Sequence, residues 1–227
     1  MSIPILAGIS LAVLAVFVPL YFLLFVGAQR AAVGQKARTL AIAALCAQRG
    51  FKTGPVHQPG HVTPQSPFLF RGLVNAFSST DGSVVGGDIA RGDSRNVHLF
   101  SVLEFTVAGL GMPRLAALRI GQSSISDVWG PVLELESGDF DRQFAVIAKD
   151  RRSAVMLLDQ GMMQWLIDCE RVSFEMIGDR VMAFVDRAAE PAHQPSEPVE
   201  FELLFKFYDG FISRLPSLLR SEYAATG

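Results

Sequence analysis

Val172-Ser173-Phe174-Glu175-Met176-Ile177-Gly178-Asp179-Arg180-Val181-Met182-Ala183-Phe184-Val185 decides the fold class. Two runs rich in Val, Phe and Ile flank Ile177-Gly178-Asp179-Arg180, where a glycine can adopt the left-handed backbone that a tight reversal needs. The stretch predicts two antiparallel strands, Val172 to Ile177 and Val181 to Val185, joined by a hairpin turn. Upstream, short apolar runs punctuated by Gly, Asp, Ser and Pro have the same texture: Val84-Val85, Val97 to Val107, Leu115 to Ile120, Val132 to Leu135 and Phe144 to Ala148. They predict five further strands. Between the fifth and sixth strands, Ala154, Met156, Leu157, Leu158, Met162, Trp165 and Leu166 recur at helical intervals. Residues Arg152 to Ile167 therefore predict an amphipathic helix packed on a sheet.

Downstream, Ala188 to Pro198 is a polar, Pro-rich connection. Beyond it Phe201, Leu204, Phe205, Tyr208, Phe211, Ile212 and Leu215 form one apolar helical face, with Lys206 and Arg214 off it. Pro216 ends or kinks this helix. The face is expected against the sheet or a partner subunit, because a membrane-surface helix would carry more basic residues on its polar side.

At the other end of the chain, Ile3 to Ala28 contains no charged residue and is dense in Leu, Val, Ala and Phe. About 20 such residues at 1.5 Å each cross the ~30 Å hydrocarbon core of a bilayer, so this stretch predicts a transmembrane helix. Pro4 suits a helix start and Pro19 is tolerated better in lipid than in water. A cleavable signal peptide would want a basic n-region and a shorter apolar run; Val26-Gly27-Ala28 is the corresponding cleavage site. A buried core helix would want a polar face. Arg30, Lys36 and Arg38 follow the span and no basic residue precedes it, which places the remainder of the chain in the cytoplasm. Cys46 and Cys169 are the two cysteines, far apart and without metal-like spacing, in keeping with a reducing compartment.

The expected organisation is a transmembrane helix at 3–28 and an Ala-rich juxtamembrane helix at 29–50 ending at Gly50. A Pro/Gly-rich linker at 51–67 precedes an α+β domain at 68–186; a second linker at 187–198 leads to a C-terminal helix at 199–222. The fold class is α+β: an N-terminal transmembrane helix, then a mainly antiparallel-sheet cytosolic domain with an inserted helix and a C-terminal amphipathic helix.

Motifs that carry chemistry are absent from the sequence. Arg91-Gly92-Asp93 matches an adhesion tripeptide but reads as a turn. Gly86-Gly87-Asp88 resembles part of a cyclase signature, broken by Ile89-Ala90, and predicts a tight turn or bulge. His57 and His61 are four apart, yet Pro59 and Gly60 deny them a shared helical face, while His98 and His193 are isolated. Asp81, Asp88 and Asp93 lack the spacing of a calcium loop and read as solvated turn residues. No nucleophile, zinc or phosphate-loop signature occurs. The sequence nominates no catalytic, cofactor-binding or metal-binding residue. A net charge of −2 argues against a nucleic-acid footprint.

One pattern resembles a family. Phe140-Asp141-Arg142-Gln143-Phe144-Ala145-Val146, then Asp150, then Ala154 with Leu157-Leu158, resembles uncharacterised bacterial membrane-anchored proteins reading F-D-x-x-F-x-V, D, A-x-x-L-L, a domain of unknown function. The resemblance implies an anchored domain and supplies no catalytic residues. Phe140, Phe144 and Val146 are expected to alternate into a core, with Asp150 capping the helix that covers them.

These readings lead to a single-pass membrane protein that contacts lipid through its N-terminal helix. Its cytosolic domain, non-enzymatic, binds a protein partner or assembles as a homo-oligomer. The alternative is an enzyme or small-ligand binder whose site is assembled from dispersed polar residues.

Overall fold

The computed structural model describes residues 33–55, 73–92, 97–121, 132–187 and 198–225. A helix at 33–48 (α1) leads into β1 (Lys52–Thr53), β2 (Val74–Ser78), β3 (Val84–Gly92), β4 (Val97–Thr106) and β5 (Met112–Arg119). Then come α2 (Gly138–Asp141), β6 (Phe144–Ala148), α3 (Arg151–Leu157), α4 (Gln160–Asp168), β7 (Val172–Gly178), β8 (Arg180–Asp186), α5 (Val199–Arg214) and α6 (Ser217–Glu222). The strands form one sheet in the order β1-β2-β3-β4-β8-β7-β5-β6, every neighbouring pair antiparallel.

The β7–β8 hairpin stands as expected: Ile177 pairs with Arg180 and Gly178 takes φ +60°. Successive strand residues point to opposite faces. On one face α5 packs across β4, β8 and β7, and α3 packs on β5 and β6. Its core is dense in phenylalanine: Phe77 meets Phe201 and Phe205, while Phe105 and Phe174 meet Phe207 and Phe211. Gly210 is needed there, because a Cβ would lie 2.7 Å from the Trp165 ring. A second buried set on the opposite face includes Phe100, Val102, Leu118, Ile147, Met182 and Phe184. Apolar residues on both faces explain why the strands read as near-continuous apolar runs.

Turns of known geometry gather at one end of the sheet, called here the hairpin end. Ser79 to Ser83, Val107 to Gly111 and Gly178-Asp179 all lie there. The ends of β3 and β8, the start of β4 and the N-termini of α1 and α5 lie at the opposite end. The direction of α1 follows from its partners: Arg38 meets Asp88 and Glu200, whereas Arg49 meets Asp209 nearer the hairpin end.

Several expectations need correction. The expected fold class put an N-terminal transmembrane helix ahead of the sheet domain. Among the described residues no helix is long and apolar enough to cross a membrane, and 3–28 lies outside them. The domain itself is α+β around one eight-stranded sheet, to which 52–53 belongs as an edge strand within the expected linker. β2 was not expected from its polar sequence, yet it pairs with β3. The single inserted helix is two: Leu158 leaves helical geometry at φ −92°, ψ 58°, and Asp159 caps a new start by accepting from the Met162 N–H at 2.7 Å. The expected C-terminal helix likewise breaks where Leu215 is extended ahead of Pro216. Val132 to Leu135 makes one bridge, Leu133 to Val146, rather than a strand.

Gly86-Gly87-Asp88 is no turn. It runs through the middle of β3, and the irregularity is a register shift in β2 between Val74 and Phe77. A Cβ on Gly86 would lie 2.3 Å from the Phe77 ring, and one on Gly87 would lie 3.0 Å from the Val74 carbonyl oxygen. The glycines allow close approach. Within the family-like pattern, Asp150 caps α3 through the Arg152 and Ser153 N–H groups, and Phe144 and Val146 are buried. Phe140 is buried too, but from the one-turn α2, stacked on Phe144.

Candidate functional site

α1 places Arg38, Ile42 and Cys46, four residues apart, on one buried face. Ile42 and Cys46 join the core, while Arg38 carries a charge into it. That charge is met from two directions. Its Nε and Nη2 bind the Asp88 carboxylate at 3.0 and 2.9 Å, a two-point pairing, and its Nη1 reaches Glu200 Oε2 at 3.2 Å. Arg187, just past β8, lies 3.8 Å from Asp88 and 3.4 Å from Glu200. Ser101 Oγ accepts from Arg38 at 3.0 Å and donates to Asp88 at 2.8 Å. Two guanidinium groups thus face two carboxylates, drawn from α1, β3, α5 and the end of β8.

Asn75 completes the cluster. Its Nδ2 donates to Asp88 Oδ2 at 2.8 Å, and its Oδ1 accepts from the Thr39 hydroxyl at 2.7 Å. It holds φ +55°, a left-handed backbone that Asn tolerates better than most residues, within the irregular part of β2. Glu200 sits in the first turn of α5, where the helix N-terminus favours negative charge. Burial on its own would push Asp88 up. The hydrogen bonds and charge of Arg38, with Asn75 and Arg187, outweigh that and hold its carboxyl below the usual range. Burial likewise opposes the charge on Arg38, and Asp88 and Glu200 reverse the balance so that its affinity for the proton rises.

Beside the cluster a groove of about 390 Å³ runs between α1 and the β1–β2 edge. Thr39, Ile42 and Ala43 form one wall, Leu73, Asn75 and Ala76 the other, and Thr53 to Pro55 the rim. No charged side chain lines it. Its chemistry suits an apolar side chain with a few hydrogen bonds to hydroxyl and amide groups.

The opposite face holds two more buried carboxylates. Glu104 pairs with Arg180 at 2.8 Å, and Glu175 with Arg114 at 3.0 Å; both flank Met182 across the sheet. Burial pushes Glu104 up to about 7, against the pull of Arg180.

The residues weighed in the sequence fall differently from expectation. Arg38, counted among the orientation charges, is a buried structural cation. Asp88, read as a solvated turn residue, is the centre of the cluster. Asp81 is in an exposed turn as expected, its carboxyl drawn down to about 2 by Ser79 and Ser83. Cys46 and Cys169 are free and buried, their thiols pushed up to about 11 by burial. Asp93, His57, His61 and His193 lie outside the described residues; Arg91 and Gly92 end β3. No set of three potential metal ligands comes together among the described residues. The one signal for the cluster was a lone Arg four residues before Ile42 on an otherwise Ala-rich helix.

Comparison with known proteins adds little. No family model and no curated protein matches the chain. Among solved structures, it is similar to the crystal structure of the mycobacterial trehalose monomycolate transport factor A, TtfA. The two are 12% identical, the match covers 78% of this chain and 96% of that chain, and the TM-score is 0.39. A likeness at that level carries no argument about function.

Proposed function

We propose that this chain is a non-enzymatic, membrane-associated protein whose sheet domain binds a protein partner or a second copy of itself, with the groove beside α1 as the contact. One observation carries the reading. The polar groups that converge most closely, Arg38, Asp88, Ser101, Glu200, Arg187 and Asn75, satisfy one another in the interior and fix α1 to the sheet. A site for polar chemistry keeps such groups open to a ligand. Here they instead make α1 a rigid wall of a shallow, uncharged groove, which suits recognition of an apolar side chain.

A photo-reactive amino acid at Thr39 or Ala43 of the full chain, irradiated in cells, tests this. A discrete adduct absent from the same probe at Leu218 is expected, and its mass separates a second copy from another protein. No adduct, or equal adducts at Leu218, would overturn the reading. Association with a membrane rests on the uncharged sequence 3–28, and a cytoplasmic domain on Arg30 and Lys36, now that Arg38 is buried. Paired C-terminal fusions, a fluorescent protein that matures only in the cytosol and a phosphatase active only outside it, test the side.

A further inference from the structure

Nine large apolar side chains are exposed among the described residues, and they are unevenly placed. Val33, Val74, Leu99, Ile120 and Val199, between 39% and 67% exposed, all lie at the end opposite the hairpin turns. The register fixes this. Val74 pairs with Asp88; Leu99 lies two residues beyond Ser101, which pairs with the same Asp88. Ile120 follows Arg119, whose N–H donates to Ser173 near the start of β7. Val199 precedes Glu200, and Val33 lies five residues before Arg38, both of them in the buried cluster. From β2 to β5 the sheet order spans five inter-strand steps, about 24 Å at about 4.8 Å each.

The chain that leads into this end is the one with no charge from Ile3 to Ala28. It closes only five residues before Val33. A lipid surface is therefore the partner nearest to hand, and a row of apolar side chains some 24 Å wide fits a plane better than a pocket. Exposed charge at this end is mixed, Lys36 on α1 and Glu170 before β7, so the apolar contact carries the attraction. We propose that the end of the domain bearing Val33, Val74, Leu99, Ile120 and Val199 seats on a lipid bilayer, with the strands standing end-on to it. The groove beside α1 then opens sideways, parallel to the bilayer. The proposal is independent of what the groove binds.

The test places the full chain in phosphatidylcholine vesicles, with acyl chains either brominated or not. A fluorophore is attached to one introduced cysteine at a time: L99C, I120C or V199C at the proposed seat, and L218C or V155C towards the hairpin end. Bromine is expected to remove most of the emission at Leu99, Ile120 and Val199 and to leave Leu218 and Val155 bright. Quenching at all five positions, at none, or only at the last two would overturn the seat, as would failure of the chain to stay with the vesicles. Amide exchange on the unlabelled chain repeats the comparison without substitutions. Vesicles should slow exchange at 33–36 and 119–121 relative to detergent and leave 107–111 and 178–180 unchanged. The groove adducts at Thr39 would survive a failure here, so the two readings fall separately.

Discussion

Asp88 and Glu104 are equally deep, at 5% and 7% exposed, and lie on opposite faces of the same sheet, yet burial leaves them with opposite protonation. Asp88 is met by a two-point Arg38, by Arg187, Asn75 and Ser101, and its carboxyl is held down. Glu104 has one contact from Arg180, its Oε2 lacks a hydrogen-bond partner, and its carboxyl is pushed up to about 7. Depth alone does not set the charge of a buried acid. The number and geometry of the donors around it do.

The sharpest way to break that comparison is to remove Arg38. Arg38→Ala strands Asp88 and Glu200 in the interior, and a loss of about 3–5 kcal/mol in denaturant-induced unfolding is expected. A loss below about 1 kcal/mol would put the cluster on a par with a surface pair and detach α1 from the account.

The next effect is a pH dependence of opposite sign on the two faces. Glu104 titrates near 7 in the folded chain against an ordinary 4.5. Between those values the folded state holds a proton that the unfolded state releases, so stability falls as pH rises. At about 1.4 kcal/mol per unit the fall reaches roughly 3 kcal/mol by neutral pH. Glu104→Gln should flatten that slope in urea titrations run from pH 4.5 to 8. For Asp88 the sign reverses: its contribution is present above 3.8 and is lost as pH falls through its lower folded value. The gap between wild type and Asp88→Asn should therefore narrow only in acid. A slope unchanged by Glu104→Gln would contradict the contrast between the faces.

Smaller effects separate backbone from hydrogen bonding at the cluster's rim. Asn75→Ala loses two hydrogen bonds and puts a Cβ on a left-handed backbone without Asn's local compensation, for about 2 kcal/mol. Asn75→Gly relieves the backbone and should cost about half as much in thermal melts. Equal losses would mean the left-handed geometry carries no strain. Smallest of all is Arg49→Ala. Its pair with Asp209 is 34% and 53% exposed, and under about 1 kcal/mol should be lost.

Local pattern made much of the fold legible. The hairpin at Gly178, the apolar runs of β4 through β8 and the stripe of α5 follow from periods of two and of three to four, which side-chain geometry imposes wherever one face is buried. What stayed hidden had no such period. β2 is polar and irregular because a bulge turns Asn75 towards Asp88. The break at Leu158 rests on one carboxylate at Asp159 capping a second helix. Phe207 was missed from the α5 stripe because tertiary packing against Phe105 and Phe174 widens the buried face.

The sequence by itself determined the strand-forming runs, the turn that reverses the chain and the uncharged stretch at its start, because each depends on residues within a few positions of one another. Only the tertiary structure decided what the charges do. Arg38 is 50 residues from Asp88 and 162 from Glu200, and no local pattern links them. Their meeting depends on the order of the strands and on where α1 and α5 lie across them. The same holds for Glu104, whose charge depends on how many donors the folded sheet brings within reach.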